Sequence, residues 1–117
     1  MYAATIGEVD AVRLLQPETV EAMCVLQTEA SKPYGQVPQL EVLAAFEMPL
    51  ALGFMRPSRF MPLLGPRSFG HPGAGGSLGF ADPDAKIGLG YVMNRMSSDI
   101  NDQRVTSLIE ATARCVS

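Results

Sequence analysis

The stretch that decides the fold runs His71-Pro72-Gly73-Ala74-Gly75-Gly76-Ser77-Leu78-Gly79-Phe80-Ala81-Asp82-Pro83-Asp84-Ala85-Lys86-Ile87-Gly88-Leu89-Gly90-Tyr91-Val92-Met93. Ser77 to Ala81 alternates in the manner of a strand. Ile87 to Met93 alternates again, with Ile87, Leu89, Tyr91 and Met93 on one face. Successive strand side chains point to opposite faces, so this period of two marks a sheet with two unlike sides. Between the runs, Asp82-Pro83-Asp84-Ala85-Lys86 is turn chemistry, because Pro presets φ and Asp bonds the backbone just ahead of it. Two such runs joined by about five turn residues predict an antiparallel hairpin. Tyr91 and Met93 are assigned to the core, and the charges from Asp82 to Lys86 to a solvated turn.

Downstream, Asn101 or Asp102 can cap a helix. Val105, Leu108, Ile109, Thr112 and Val116 then recur at helical spacing, so one face is expected to pack on the hairpin. Upstream, Pro17 opens a helix at a position where its missing N–H costs nothing. Glu18 and Glu21 suit the positive end of its dipole. Val20, Met23, Cys24 and Gln27 keep helical spacing, and the helix is expected to stop near Ser31, before Pro33. Residues 1–16 read as a turn-rich entry. Leu40 to Phe46 could form a short helix and Leu50 to Met55 a strand. Residues 56–68, with Pro57, Pro62, Gly65 and Pro66, read as a loop.

With 117 residues the chain has room for one modest core. Apolar residues at 47% against 18% charged indicate a folded domain rather than a disordered chain. The net charge of −3, with scattered basic residues, gives no nucleic-acid footprint. No apolar run approaches the roughly 20 residues of a membrane span. Met1 to Asp10 lacks the pattern of a signal peptide, and no compartment is assigned from it. Cys24 and Cys115 are read as two buried free thiols on apolar helical faces, with a disulfide as the alternative. Two cysteines and one histidine do not make a metal site. No cofactor is expected. There is no internal repeat and no low-complexity tract.

Chemistry concentrates in Phe69-Gly70-His71-Pro72-Gly73-Ala74-Gly75-Gly76, which holds the single histidine and four glycines. Three readings compete. A phosphate-cradling loop needs Gly-Lys-Ser/Thr, which is absent, and a dinucleotide loop needs a third glycine where Leu78 stands. A glycine-rich strand entry with a structural histidine is the plain alternative. The third is an edge strand whose backbone faces a substrate, since glycine permits close approach.

The run His71 to Asp84, followed by Ile87-Gly88-Leu89-Gly90-Tyr91-Val92-Met93-Asn94, resembles the third-motif region of class C β-lactamases and family VIII carboxylesterases, relatives of the penicillin-binding proteins. Val12-Arg13-Leu14-Leu15-Gln16-Pro17-Glu18-Thr19-Val20 is similar to the family's Leu-Leu-Ser-Pro-Glu-Thr stretch, with Gln16 at the serine. The resemblance covers roughly residues 1–30 and 52–117. It implies an α/β chain of the α+β type, the C-terminal part of the β-lactamase/DD-peptidase fold, with three antiparallel strands and a packed C-terminal helix. Residues 1–117 would form a partial domain, lacking two N-terminal strands that pair with the strand at Ile87–Met93.

What the resemblance implies chemically is hydrolysis through an acyl-serine. A serine hydroxyl needs a nearby base, which the family supplies in Ser-x-x-Lys and Tyr-x-Asn. Neither motif occurs in this sequence, so no catalytic residue is carried over. The third motif implies a pocket-lining role for His71, room for close approach at Gly73, and an oxyanion-hole N–H at Ala74. His71-Pro72-Gly73 in place of Lys-Thr-Gly leans towards an esterase, because a permanently charged Lys suits carboxylate-bearing substrates better than a largely neutral His. The expected function is therefore that of a C-terminal fragment of an esterase-type serine hydrolase, inactive alone, whose whole form takes a small ester or amide substrate. The alternatives are a non-catalytic remnant that binds a partner, or itself, through an open sheet edge, and a partial sequence of a whole esterase.

Overall fold

The computed structural model describes residues 1–28, 49–58, 61–99 and 102–116. Both alternating runs are strands. β2 (Ser77–Asp82) and β3 (Ile87–Tyr91) pair antiparallel, with Leu78 opposite Tyr91 and Phe80 opposite Leu89. On the other side of β2 lies β1 (Phe69–Gly73), also antiparallel, with Gly70 opposite Phe80 and Gly73 opposite Ser77. The sheet order is β1-β2-β3. Met93 falls beyond β3, and it and Tyr91 are half-buried rather than core.

Strand alternation gives the sheet two faces of different character. One carries Leu78, Phe80 and Leu89. It packs with Met55, Met61, Leu63 and Ile109 into the larger apolar cluster. Ile109 and its neighbour Val105 come from the C-terminal helix α3 (Gln103–Val116). Asp102 caps that helix, its Oδ1 accepting the Arg104 N–H at 3.1 Å. The expected stripe is only partly used: Leu108 and Val116 stay 42% and 47% exposed.

The other face pairs Phe69 and Ala81 with Val20 and Met23. Along β2 and β3 it is floored by Gly79, Gly88 and Gly90. A helix, α1 (Tyr2–Ile6), lies over it, so residues 1–16 are not merely a turn-rich entry. A Cβ at Gly88 would run into the Ala3 backbone, and one at Gly79 into the Tyr2 ring. Helix and sheet backbones meet there with no side-chain layer between them.

The helix α2 (Pro17–Met23) starts where expected but ends at Cys24, well short of Ser31. The Gln27 and Thr28 N–H groups both donate to the Leu50 carbonyl, at 2.8 and 3.3 Å, which draws the chain away. Val25 and Leu26 are left about half exposed. The expected helix at Leu40–Phe46 lies outside the described residues. Leu50–Met55 is a closed turn rather than a strand. Its ends bridge each other, Gly53 sits at φ +76°, and Met55 then pairs with Gly70. The rest of 56–68 is irregular, as expected for a loop. Both cysteines are free. Cys24 is half-buried, its thiol donating to the Arg67 carbonyl at 3.3 Å, whereas Cys115 is exposed, against the expectation of two buried thiols.

One charge of the hairpin turn is not solvated. Asp82 is 1% exposed. Its Oδ2 accepts from Ser68 Oγ at 2.6 Å, and its Oδ1 from the Asp84 and Ala85 N–H groups at 2.9 and 2.8 Å. Ser68 Oγ in turn accepts from the Gly65 N–H at 3.0 Å. Buried Arg56 donates to the carbonyls of Pro66, Arg67 and Ser68. The loop entering β1 is thus fixed by two buried ionisable side chains that satisfy backbone groups at the sheet's end.

Candidate active site

The three residues singled out in the sequence fall together at the end of β1. Met55 covers the strand's start, exchanging hydrogen bonds with Gly70 at 2.7 and 3.0 Å. Past Gly70 the edge is uncovered among the described residues. His71 is exposed on it, with Nδ1 2.7 Å from the Pro72 carbonyl. A carbonyl only accepts, so Nδ1 is the donor in this contact. At Gly73 the space a Cβ would need is taken by the Ser77 hydroxyl. A side chain here would require the Ser77 hydroxyl to turn away.

Ala74 is exposed in the turn between β1 and β2. The Gly76 N–H donates to the Gly73 carbonyl at 3.1 Å, and Gly75 has φ +87°. A positive φ at the third residue of a four-residue turn is the type II geometry, which glycine adopts without strain. No acceptor for the Ala74 N–H occurs among the described residues. From outside, the turn is held by the segment after β3. Met93 and Met96 pack against Gly75, and the Ser97 N–H donates to its carbonyl at 3.1 Å.

Two cavities flank the end of this strand, one on each side of the sheet. The first, of about 310 Å³, includes His71, Gly73 and Ser77 with Tyr2 and Tyr91. Burial pushes the Tyr2 phenol up, so it stays protonated. The second, of about 340 Å³, opens between the hairpin and the start of α3. There Asp102 is gripped by the Arg104 guanidinium, with Nε at 2.9 and 2.8 Å from its two oxygens, and Arg104 also donates to the Arg95 carbonyl at 2.8 Å. The guanidinium holds the Asp102 carboxyl far below the usual carboxylate range. Tyr2, Asp102 and Arg104 were not singled out as site residues from sequence. Only the capping pattern at Asp102 gave any signal. Tyr2 reaches the site through α1, which the local pattern did not show.

A short antiparallel sheet, backed by a C-terminal helix, ends in a glycine turn whose Ala74 N–H has no acceptor among the described residues. The chain belongs to the beta-lactamase family, whose profile matches residues 2–113. It is 29% identical over 102 residues to esterase/beta-lactamase LipL of Mycobacterium tuberculosis, covering 86% of this chain and 21% of that protein. Among solved structures it resembles a family VIII carboxylesterase, with a TM-score of 0.73, 30% identity, and coverage of 97% of this chain and 28% of that one. EstA from Arthrobacter nitroguajacolicus Rue61a superposes at a TM-score of 0.74 with 28% identity, over 98% of this chain and 30% of EstA. The chain therefore spans about a fifth of the curated relative and under a third of these structures. The likeness supports the three-stranded α/β reading taken from sequence, and the resemblance to this hydrolase family holds.

Proposed function

We propose that residues 1–117 form part of the domain of an esterase-type serine hydrolase, contributing one wall of its acyl pocket and hydrolysing nothing alone. In that reading a serine supplied outside this sequence attacks the ester carbonyl. The Ala74 N–H and the nucleophile's own N–H stabilise the resulting oxyanion, and His71 borders the leaving group. Gly73 keeps the strand clear for the substrate. The observation that carries the reading is that Ala74 is an exposed residue of a fixed turn, with an N–H that has no acceptor among the described residues. Such preorganised backbone donors act on charge as it develops, with no reorganisation at the moment of reaction.

A chimera tests this. Residues 69–116 replace the matching segment of the family VIII carboxylesterase, keeping that enzyme's nucleophile. The expected result is hydrolysis of p-nitrophenyl butyrate that is lost when the nucleophilic serine is changed to alanine. A chimera with a native-like melt and no hydrolysis would remove the support for β1 as a pocket wall.

A second reading rests on a separate observation. β3 ends the sheet among the described residues, and Val92 beyond it is 84% exposed. Unpaired strand edges template association. In that reading the chain binds a second copy of itself along β3, and light scattering would show oligomers. A monodisperse monomer would count against it.

A further inference from the structure

The segment after β3 grips the turn that carries Ala74, and it does so through an oxidisable side chain. Met96 Cγ fills the space a Cβ would take at Gly75, and Met93 Cε lies 3.2 Å from that position. On either side of Met96 the main chain is anchored. The Ser97 N–H donates to the Gly75 carbonyl at 3.1 Å, and Arg104 donates to the Arg95 carbonyl at 2.8 Å. Asp102 in turn fixes Arg104. Met96 therefore sits in a set place, yet it is 71% exposed, so solvent-borne oxidants reach it. Met23, Met55 and Met61 are buried, and Met93 is half-buried.

A thioether is soft and apolar, and this side chain fills the gap over a glycine that has none of its own. Oxidation changes that character. The sulfur lone pair attacks one oxygen of hydrogen peroxide, an S–O bond forms, and the O–O bond breaks. The departing hydroxide takes the proton left on the transferred oxygen and leaves as water. Sulfur loses two electrons and the peroxide gains them. The sulfoxide is polar and disrupts packing that the thioether supported.

We infer that Met96 is a site of oxidation by peroxide, and that its sulfoxide loosens the turn of residues 73–76 and displaces the Ala74 N–H. The oxidation and the loosening stand on the packing alone. Their consequence for hydrolysis rests on the reading of Ala74 as an oxyanion donor.

Residues 1–117 are exposed to graded hydrogen peroxide and mapped by peptide mass spectrometry. Met96 should be oxidised ahead of Met23, Met55, Met61 and Met93. Met1 is exposed as well, so variants assign the effect. The Gly76 and Ser97 amides are the hydrogen-bonded ones of the clasp. Their hydrogen exchange should quicken several-fold on oxidation and recover after treatment with methionine sulfoxide reductase. Met96→Leu keeps the volume without the reactive sulfur and should make both amides indifferent to peroxide. Met96→Gln, polar from the start, should quicken their exchange with no oxidant. Earlier oxidation of the buried methionines, unchanged exchange at both amides, or a peroxide response that persists in Met96→Leu overturns the inference. In the active chimera, peroxide should slow acylation several-fold or more, short of the roughly hundred- to thousand-fold of losing the donor outright, and Met96→Leu should prevent it. A loosened turn with unchanged acylation would uphold the oxidation site and overturn Ala74 as the donor.

Discussion

Asp82→Ala should be the most damaging single change in the hairpin. The carboxylate is 1% exposed and accepts three hydrogen bonds, at 2.6, 2.9 and 2.8 Å. The partners differ in what happens once it is gone. Ser68 has no solvent exposure, so its hydroxyl loses its acceptor at the full cost of a buried unpaired group, about 1–3 kcal/mol. The Asp84 and Ala85 amides lie in a turn that water reaches, so each should lose nearer the ordinary net value, about 0.5–1.5 kcal/mol. The sum is roughly 2–6 kcal/mol, against a total stability of about 5–15 kcal/mol for a domain. In urea, with a slope of about 1–3 kcal/mol per molar, the midpoint should fall by about 0.7 M or more. Ser68→Ala should also destabilise, and the two changes should be strongly non-additive because they remove the same bond. The assay is urea unfolding followed by far-ultraviolet circular dichroism on all four variants of the cycle. A shift below about 1 kcal/mol for Asp82→Ala, or additivity with Ser68→Ala, would refute the reasoning.

Purified residues 1–117 should not hydrolyse p-nitrophenyl esters or a chromogenic β-lactam above buffer, and turnover blocked by a serine-directed phosphonate would contradict the missing nucleophile. In the active chimera, Ala74→Pro should slow acylation about a hundred- to thousand-fold while Ala74→Gly changes it little, since proline alone removes the N–H. The type II turn favours Pro at that position, so the variant should keep its melting temperature, and acylation rates within a few-fold of each other would exclude Ala74 as the donor. Asp102 should show no inflection in a carbon-detected titration from pH 7 down to 4. Its folded value is lowered, so its contribution is fully present above the unfolded value of about 3.9 and is lost only as pH falls through the folded one; titration near 4 would mean the Arg104 contact is absent.

The elements read correctly from sequence are those whose local chemistry and tertiary role agree. Ile87-Gly88-Leu89-Gly90-Tyr91 alternates because one face of β3 meets the core and the other meets α1. The helix stripe centred on Ile109 was visible for the same reason. What escaped notice depends on distant partners. Five residues of α1 are too few for a helical period to emerge. Its signal lay some eighty residues away, in glycines that leave one sheet face without side chains. The overextension of α2 came from Val25 and Leu26, apolar residues that stay exposed after the chain turns to Leu50. Asp82 looked like surface turn chemistry, and it does bond the next amides as such a residue should. Its burial depends on Ser68 and a loop whose path no local pattern encodes. At the site, glycine spacing marked Gly73 and Ala74 as unusual, whereas the partners that frame them, Tyr2 and Arg104, arrive from the two ends of the chain.

The direct seating of α1 on Gly79 and Gly88 reverses the usual ranking of mutational tolerance. In a saturation library replacements at Gly79 and Gly88 should be purged as strictly as those at Phe80, and alanine, ordinarily the mildest replacement, should already be excluded at Gly88 because the obstacle there is main chain. Gly90, with nothing within 4 Å of where its Cβ would lie, should accept alanine and larger residues. Selection would therefore read these evenly spaced glycines as two different kinds of position. A hydropathy score cannot tell them apart, but the footprint of a single helical turn can.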